Sequence, residues 1–386
     1  MGLVVRKYGG TSLEGHARIT DVAQRVAELR TSGEDVVVVV SARGGTTDLL
    51  VEEARSITPA PVQRELDMLM TAGERISMSL LAIALNAIGC QAISFTGSQV
   101  GIITDTRHTA ARILEVRPHR VRRELERGLV VVVGGFQGVS VEKEVTTLGR
   151  GGSDTTAVAL AAALGADRCE ILTDVDAVYT ADPRRVPKAR PVSEMSYEDM
   201  AELARFGATV LKEDAVRFAE RSGIALSIGA ADAEAPGTIV LTEPACDDRE
   251  VTAVAHLAGV SIIETTPAEL PTASRTIEAA AANVIAHFSI DGRLTIAVDV
   301  PPEALPGRSA RNATLLCLTG CDAGSSKVVE RALAVFEREG APVLASSSSA
   351  RSSRFAVQTD RPDEVLQELH EEFLDSSDGA VRTPRR

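Results

Sequence analysis

Two runs of consecutive valines constrain the fold of this chain most strongly. Five valines fill positions 36–40 and four more fill positions 130–133. A strand that is apolar at every position needs cover on both faces, as a central strand of a parallel sheet has. Shorter apolar segments alternate with stretches of helical spacing over the first 230 residues. The pattern therefore predicts an α/β fold, with an open, mainly parallel sheet sandwiched by helices.

The C-terminal third has a different pattern. From about residue 251 the strands and helices are short, and they follow one another as two β-α-β-β-like units in series, which indicates an internal repeat. We therefore predict two domains, an α/β domain at 1–245 and a smaller α+β (ferredoxin-like) tandem region at 246–386.

Composition excludes several classes of function. The net charge is −13, and the basic face that a general binder of nucleic acid or anionic membranes needs is not evident. The N-terminus lacks the anatomy of a signal peptide, and we expect no membrane span. The five cysteines are scattered without a CxxC pair, which disfavours disulfides and zinc. We expect reduced thiols and a cytoplasmic location.

The segment 147–156, Thr-Leu-Gly-Arg-Gly-Gly-Ser-Asp-Thr-Thr, is the strongest candidate for chemistry. Its glycines allow close backbone approach to a ligand, and Ser153 and Asp154 stand where a helix would begin. Free amides and a helix dipole attract anions, and Arg150 adds a guanidinium group that can bind a carboxylate or phosphate in bidentate fashion. Its spacing is neither the dinucleotide fingerprint nor the Walker pattern. By itself it could also be a capped connection without a ligand.

Two further glycine loops favour the ligand-binding interpretation. Gly9-Gly10 and Gly44-Gly45 each follow a predicted strand, as Gly135 and the segment 147–156 follow the second valine run. In parallel sheets, ligands bind beyond the carboxyl ends of the strands. Three such loops at one edge therefore predict a shared anion site.

These motifs, in this order, resemble those of aspartate kinases, members of the amino-acid-kinase fold. The resemblance covers roughly residues 3–230. The C-terminal third is similar to the paired ACT regulatory domains of that family, but only in its pattern of strands and helices. The matching segments are Lys7–Ser12, Ser41–Leu50, Thr71–Arg75, Gly135–Gly138, Thr147–Thr156 and Thr173–Arg184.

The resemblance implies transfer of the ATP γ-phosphoryl group to the side-chain carboxylate of L-aspartate, with Mg²⁺ carried by the nucleotide phosphates. It also implies a homodimer formed through the ACT-like domains. It implies no metal ligands in the protein itself.

The resemblance assigns roles residue by residue. Lys7 would neutralise the transferring phosphoryl group, and Asp154 would orient Lys7. The acceptor side would be formed by Ser41, Thr47, Glu74, Phe136, Arg150 and Ser153. The nucleotide side would be formed by Gly9, Gly10, Gly152, Thr173, Asp174, Tyr179, Asp182, Arg184, Thr209 and Lys212.

The sequence departs from the family pattern at three places. Thr209 stands where the family has a phosphate-binding lysine, with Lys212 three residues further on, one turn away if the helix continues. The strand ending at Ser227–Ala230 lacks the usual Arg-Ser pair, and the effector-loop signature is not evident around 257–267. We therefore hypothesise a specialised paralogue with reduced feedback control. Two alternatives remain open, a kinase of the same fold that acts on another small amino acid and a catalytically impaired regulatory paralogue.

Overall fold

The computed structural model divides the chain into two compact units. Its described residues are 2–149, 151–208, 210–233, 237–244, 249–280, 282–290, 293–307 and 309–375. Unit 1 comprises Met1–Val178, Ser193–Tyr197 and Val210–Pro244. Unit 2 comprises Tyr179–Val192, Glu198–Thr209 and Ala245–Arg386.

Helices and strands alternate along the described residues. The helices are α1 (His16–Thr31), α2 (Thr46–Ile57), α3 (Gln63–Ala87), α4 (His119–Glu126), α5 (Gly152–Leu164), α6 (Tyr197–Arg205), α7 (Glu213–Ser222), α8 (Leu270–Ala279), α9 (Ser326–Arg338) and α10 (Pro362–His370). The strands are β1 (Leu3–Tyr8), β2 (Asp35–Val40), β3 (Ala92–Phe95), β4 (Ile102–Thr104), β5 (Ile113–Val116), β6 (Val130–Gly134), β7 (Gln137–Ser140), β8 (Val145–Thr147), β9 (Arg168–Thr173), β10 (Val178–Tyr179), β11 (Pro191–Val192), β12 (Glu194–Ser196), β13 (Leu226–Ala230), β14 (Thr238–Leu241), β15 (Ala253–Thr265), β16 (Val284–Ile290), β17 (Arg293–Val298), β18 (Ala310–Thr319), β19 (Val343–Ser348) and β20 (Ser352–Val357).

A sheet with the strand order β12-β14-β13-β9-β1-β2-β6-β3 forms the centre of unit 1. Its pairs are parallel from β13 through β9, β1, β2 and β6 to β3, whereas β13 and β14 run antiparallel. The valines of β2 and β6 are completely buried. Those at 36, 38 and 40 pack with α1 and α3, while α5 packs against β1 and β2 from the opposite face. The predicted parallel sheet with helices on both faces is confirmed.

Several predicted element boundaries are wrong. A four-stranded sheet of the order β5-β4-β7-β8 was not foreseen, and the glycine segment follows its last strand, β8, rather than the valine strand β6. The helical spacing around Leu80 to Ile88 belongs to one long helix, α3, and not to a separate helix. The helix does not continue to Lys212, because α6 ends at Arg205 and α7 begins at Glu213. Short strands and breaks of this kind depend on partners distant in sequence, which local periodicity does not report.

One helix among the described residues, α3, is long and apolar enough to cross a membrane by length and composition alone. It packs against α1, α2, β2, β3, β6 and β8 in unit 1. Its apolar composition is accounted for by this position in the core.

Unit 2 contains a six-stranded sheet, among the described residues, in the order β16-β17-β15-β18-β20-β19. It is built from two repeats with the same strand arrangement, β15-α8-β16-β17 and β18-α9-β19-β20. The two repeats join through the antiparallel pair β15–β18. The predicted tandem repeat is confirmed. Strand β15 is continuous over Ala253–Thr265, with an irregularity in its pairing between Leu257 and Val260.

The segment 179–192 belongs to the core of unit 2. Ala181 and Val186 are buried with residues of β15, β18, β20 and α10. The backbone NH of Val254 donates to the carbonyl oxygen of Thr180 at 2.8 Å. This segment, which carries three of the predicted nucleotide-binding residues, is therefore built into the C-terminal layer.

The cysteines do not all follow the expectation of reduced thiols. Cys90, Cys169 and Cys317 are free, as predicted. Cys321 is disulfide-bonded, so the expectation is wrong at that position. Scattered spacing says nothing about which thiols folding brings together.

Candidate active site

A buried ion pair lies at the start of α5. Lys7 Nζ is 2.7 Å from Asp154 Oδ1, and each side chain is only 10% exposed. Lys7 alternates along β1 with Val4 and Tyr8, which face α1, so it faces α5 instead. Asp154 lies in the first turn of α5, where the helix dipole stabilises a carboxylate. The two predicted catalytic residues are therefore brought together.

The first glycine loop lies directly beside this pair. A Cβ on Gly9 would be 3.9 Å from Lys7 Nζ and 3.9 Å from Thr173 Cα. A Cβ on Gly10 would be 2.4 Å from the carbonyl oxygen of Ala42, so only glycine fits there. The Gly44 NH donates to the Gly10 carbonyl at 3.0 Å. The first two glycine loops thus contact each other.

Glu74 connects α3 to the second loop. Its Oε1 accepts from the Ala42 NH at 3.1 Å, and the residue is 3% exposed. Its Oε2 is buried without a hydrogen-bond partner among the described residues. Burial raises the pKa of Glu74 to about 7. An unpartnered buried oxygen of this kind is suited to accept a hydrogen bond from a cationic group of a ligand.

The third loop closes the arrangement. A Cβ on Gly134 would lie 3.4 Å from Glu74 Cβ, and one on Gly135 would lie 2.8 Å from Ser153 Oγ. Phe136 adopts a φ of 66°, rare for a non-glycine residue, while its NH donates to Thr156 Oγ1 at 3.1 Å. Strained backbone of this kind is concentrated at functional sites.

These contacts form a closed ring of residues in unit 1. It runs from Lys7 through Gly9 and Gly10 to Ala42, then through Glu74, Gly134, Gly135 and Ser153 to Asp154, and back to Lys7. The ring lies at the carboxyl ends of β1, β2 and β6, where a parallel sheet places its ligands. It combines a cation, a buried carboxylate and the amides at a helix start.

Lys212 contacts the glycine loop at the start of α5. Gly151 has a φ of 73°, and a Cβ placed on it would be 1.9 Å from Lys212 Cγ. The Lys212 stem therefore packs on the glycine, and its exposed head extends a second positive charge beside the loop.

The remaining predicted residues are placed as follows. Ser41 follows β2, and its NH donates to the Tyr8 carbonyl at 3.2 Å. Thr47 lies in the first turn of α2. Thr173 ends β9, and its hydroxyl donates to Asp174 Oδ1 at 2.9 Å. Gly152 is the first residue of α5 and lies against Phe136.

Five predicted residues are not joined to this ring by the structure. Arg150 and Thr209 lie outside the described residues. Tyr179, Asp182 and Arg184 belong to unit 2. There Arg184 donates to both oxygens of Asp182 at 2.9 Å and lowers the pKa of that carboxyl.

Sequence analysis missed a third buried carboxylate, which lies near the ring. Asp67 is completely buried on α3 and accepts hydrogen bonds from His108, Thr109 and Thr147. A signal was available, because Asp67 precedes Glu74 by seven residues and therefore shares its face of the helix. Among the residues that the structure describes, no group of three or more His, Cys, Asp or Glu could hold a metal ion.

Residues 2–230 match the model of the amino acid kinase family. The chain belongs to the amino acid kinase family. The membership of this fold family that the sequence indicated is thereby confirmed.

Comparisons with individual amino acid kinases agree. An aspartokinase of Mycolicibacterium smegmatis is 53% identical over 260 residues, which are 66% of this chain and 62% of that protein. The aspartokinase of Corynebacterium glutamicum is 54% identical over 241 residues, 62% of this chain and 57% of that protein. The match thus spans less than two thirds of the length of these relatives.

Solved structures match over nearly the whole chain. Escherichia coli aspartokinase III, in complex with aspartate and ADP, shows the same fold at a TM-score of 0.81, with 24% identity, 96% of this chain covered and 99% of that one. Aspartate kinase from Synechocystis is 33% identical, at a TM-score of 0.58, covering 100% of this chain and 70% of that one.

Proposed function

We propose that this chain is an aspartate kinase, which transfers the γ-phosphoryl group of ATP to the side-chain carboxylate of L-aspartate to give 4-phospho-L-aspartate and ADP. The observation that carries the proposal is the buried Lys7–Asp154 pair at the start of α5, inside the ring of glycine loops. The curated relatives named aspartokinase support it.

The chemistry requires two anions to approach each other. In-line phosphoryl transfer depends mainly on positioning and on stabilising the charge that spreads over the phosphoryl oxygens. The positive charge of Lys7 provides this stabilisation, and Asp154 holds the Lys7 ammonium group in place. Low exposure strengthens these interactions, because water is largely excluded.

The acceptor occupies the side of the ring that Glu74 faces. The unpartnered Oε2 of Glu74 accepts from the α-ammonium group of aspartate, and Arg150 grips its α-carboxylate. Ser41, Thr47, Phe136 and Ser153 line this side. A substrate without an ammonium group leaves Glu74 unsatisfied, which favours an amino acid over other small acids.

The nucleotide phosphates lie across the glycine amides. The backbone amides of Gly9, Gly10 and Gly152 donate to phosphate oxygens. Lys212, which packs on Gly151, replaces the lysine that the family has at the position of Thr209. The remaining nucleotide contacts come from Thr173, Asp174, Tyr179, Asp182 and Arg184. Mg²⁺ is held by the phosphates and neutralises their charge.

The remaining proposals concern organisation. We infer a catalytic domain at 1–245 and an ACT-like regulatory domain at 246–386, a homodimer formed through the exposed edges of the unit 2 sheet, and a cytoplasmic location. Reduced feedback is proposed from the missing effector-loop signature. Ordinary inhibition of the enzyme by lysine plus threonine, measured by titration, would contradict that part.

The activity is tested by trapping the acyl phosphate with hydroxylamine. Purified protein, ATP and Mg²⁺ are incubated with a panel of amino acids, with Lys7→Met as the control for the charge at the reacting phosphoryl group. We expect hydroxamate with L-aspartate and a loss of at least about 100-fold in the variant. Hydroxamate with another acid alone points to a different substrate, and none at all points to an impaired paralogue.

A further inference from the structure

Asp67 accepts four hydrogen bonds that join three separate parts of unit 1. His108 Nδ1 lies 2.6 Å from its Oδ2, and the Thr147 hydroxyl donates to its Oδ1 at 2.6 Å. The Thr109 NH donates to both oxygens, at 3.0 and 3.2 Å. A carboxylate with no exposure needs such partners, so the segment at 108–109 and strand β8 are both fixed relative to α3.

The segment 108–111 in turn supports the glycine loop. Thr109 has a φ of 63°, which a β-branched residue adopts only when its surroundings impose it. Its carbonyl oxygen lies 3.3 Å from where a Cβ on Gly149 would stand, and the Ala111 NH donates to the Thr147 carbonyl at 2.9 Å. The backbone at 109–111 is therefore packed under the start of the loop.

Asp67 and the ring share one helix. Asp67 precedes Glu74 by two turns of α3, about 10 Å along the helix axis. The same rigid element therefore fixes the acceptor-side carboxylate and the start of the glycine loop, and it sets the distance between them.

We propose that Asp67 is a positioning residue that clamps Thr147 and the 108–111 segment, and so positions Gly149 and the start of α5 relative to Glu74 for binding of the amino acid acceptor. The proposal rests on the proposed function for the identity of the acceptor. Asp67 does not itself touch the reacting groups. It acts through Thr147 and Thr109.

Strand β8 offers a matched control. Thr146, the neighbour of Thr147, is equally buried and shares a hydrogen bond of 2.7 Å with Thr104, away from Asp67. Thr147→Val and Thr146→Val therefore remove one buried hydroxyl each, from the same strand, while only the first loosens the clamp. Thr147→Ser keeps the hydroxyl and should restore the clamp.

The test measures KM and kcat in the hydroxamate assay, melting temperature, and amide hydrogen exchange of the peptide that covers 147–155. We expect Thr147→Val to raise KM for L-aspartate about tenfold, with a smaller change in kcat, and to speed exchange in that peptide. Thr146→Val should lower the melting temperature by a similar amount with KM and exchange near wild type.

Equal KM and exchange in the two valine variants would overturn the proposal, as would failure of Thr147→Ser to recover. If wild-type protein gives no hydroxamate with aspartate, the proposed function fails separately. The kinetic comparison then uses whichever acid is active, and the exchange measurement still decides whether the clamp exists.

Discussion

Glu74 shows how a single residue can be unfavourable for folding and useful for binding. It has one backbone donor, Ala42, for two carboxylate oxygens. Burial raises its pKa to about 7 because the charged form loses its hydration. An arriving ammonium group supplies the missing partner, so binding recovers part of the free energy that folding lost.

Replacing Glu74 by Gln should change stability in a pH-dependent way. The folded chain holds the proton more tightly than the unfolded chain, whose carboxyl titrates near 4.5. Between about pH 4.5 and 7 the folded state therefore binds more protons, and the free energy of unfolding falls as pH rises. We expect Glu74→Gln to be more stable than wild type by up to about 3 kcal/mol at pH 8 and little different at pH 4, measured by urea denaturation.

The same substitution should weaken acceptor binding. The variant loses the anion that pairs with the ammonium group, so KM for L-aspartate should increase strongly and lose its dependence on pH. In the wild type, KM should rise below pH 7 as Glu74 becomes protonated. A stability difference that is independent of pH, or an unchanged KM in the variant, would contradict this account of Glu74.

At the scale of the element, α5 is bounded by two glycines of similar conformation. Gly151 has a φ of 73° and Gly165 a φ of 69°. A Cβ on Gly151 would collide with Lys212, whereas a Cβ on Gly165 has nothing within 4 Å. The two ends thus require the same backbone shape, but only the N-terminal end also requires space for a neighbouring lysine.

Alanine at these two glycines should separate strain from function. Each variant forces a left-handed conformation on an L-residue, at about 1–2 kcal/mol of stability. Gly151→Ala should in addition displace Lys212 and raise KM for ATP about tenfold, measured at saturating aspartate. Gly165→Ala is the control and should leave KM for ATP unchanged. Equal KM values for ATP in the two variants would show that Lys212 does not contribute to nucleotide binding.

At the scale of the whole molecule, segment 179–192 belongs to the C-terminal layer. The Thr180 hydroxyl lies 2.9 Å from the buried His370 Nε2, and Gln367 donates to the Arg185 carbonyl at 2.6 Å. Lys188 pairs with Glu371 at 2.7 Å. The segment that carries the predicted nucleotide-binding residues is therefore supported by α10, close to the end of the described chain.

Truncation after residue 245 should consequently fail to give an independent kinase. Ala181 and Val186 would lose the apolar surface that buries them. We expect the fragment to bind a hydrophobic dye and to show weak affinity for ATP in calorimetry. Adding fragment 246–386 in trans should restore part of that affinity. A fragment 1–245 with normal ATP affinity and no dye binding would refute this dependence.

Much of the fold and part of the site could be predicted from the sequence because they are local. Valine runs require cover on both faces wherever they occur, and glycines allow backbone shapes that other residues resist. Lys7, Glu74 and Asp154 were predicted from motifs, each a short run of residues. The placement of Arg150 and Thr209 stays a prediction.

Only the tertiary structure decided what meets across long separations. Asp67 and His108 are 41 residues apart, and Asp67 and Thr147 are 80 apart, so no local pattern joins them. The same holds for the sheet that contains β8, for the docking of 179–192 and for the disulfide at Cys321. Burial and pairing depend on the packed neighbours of a residue, and chain order alone does not specify them.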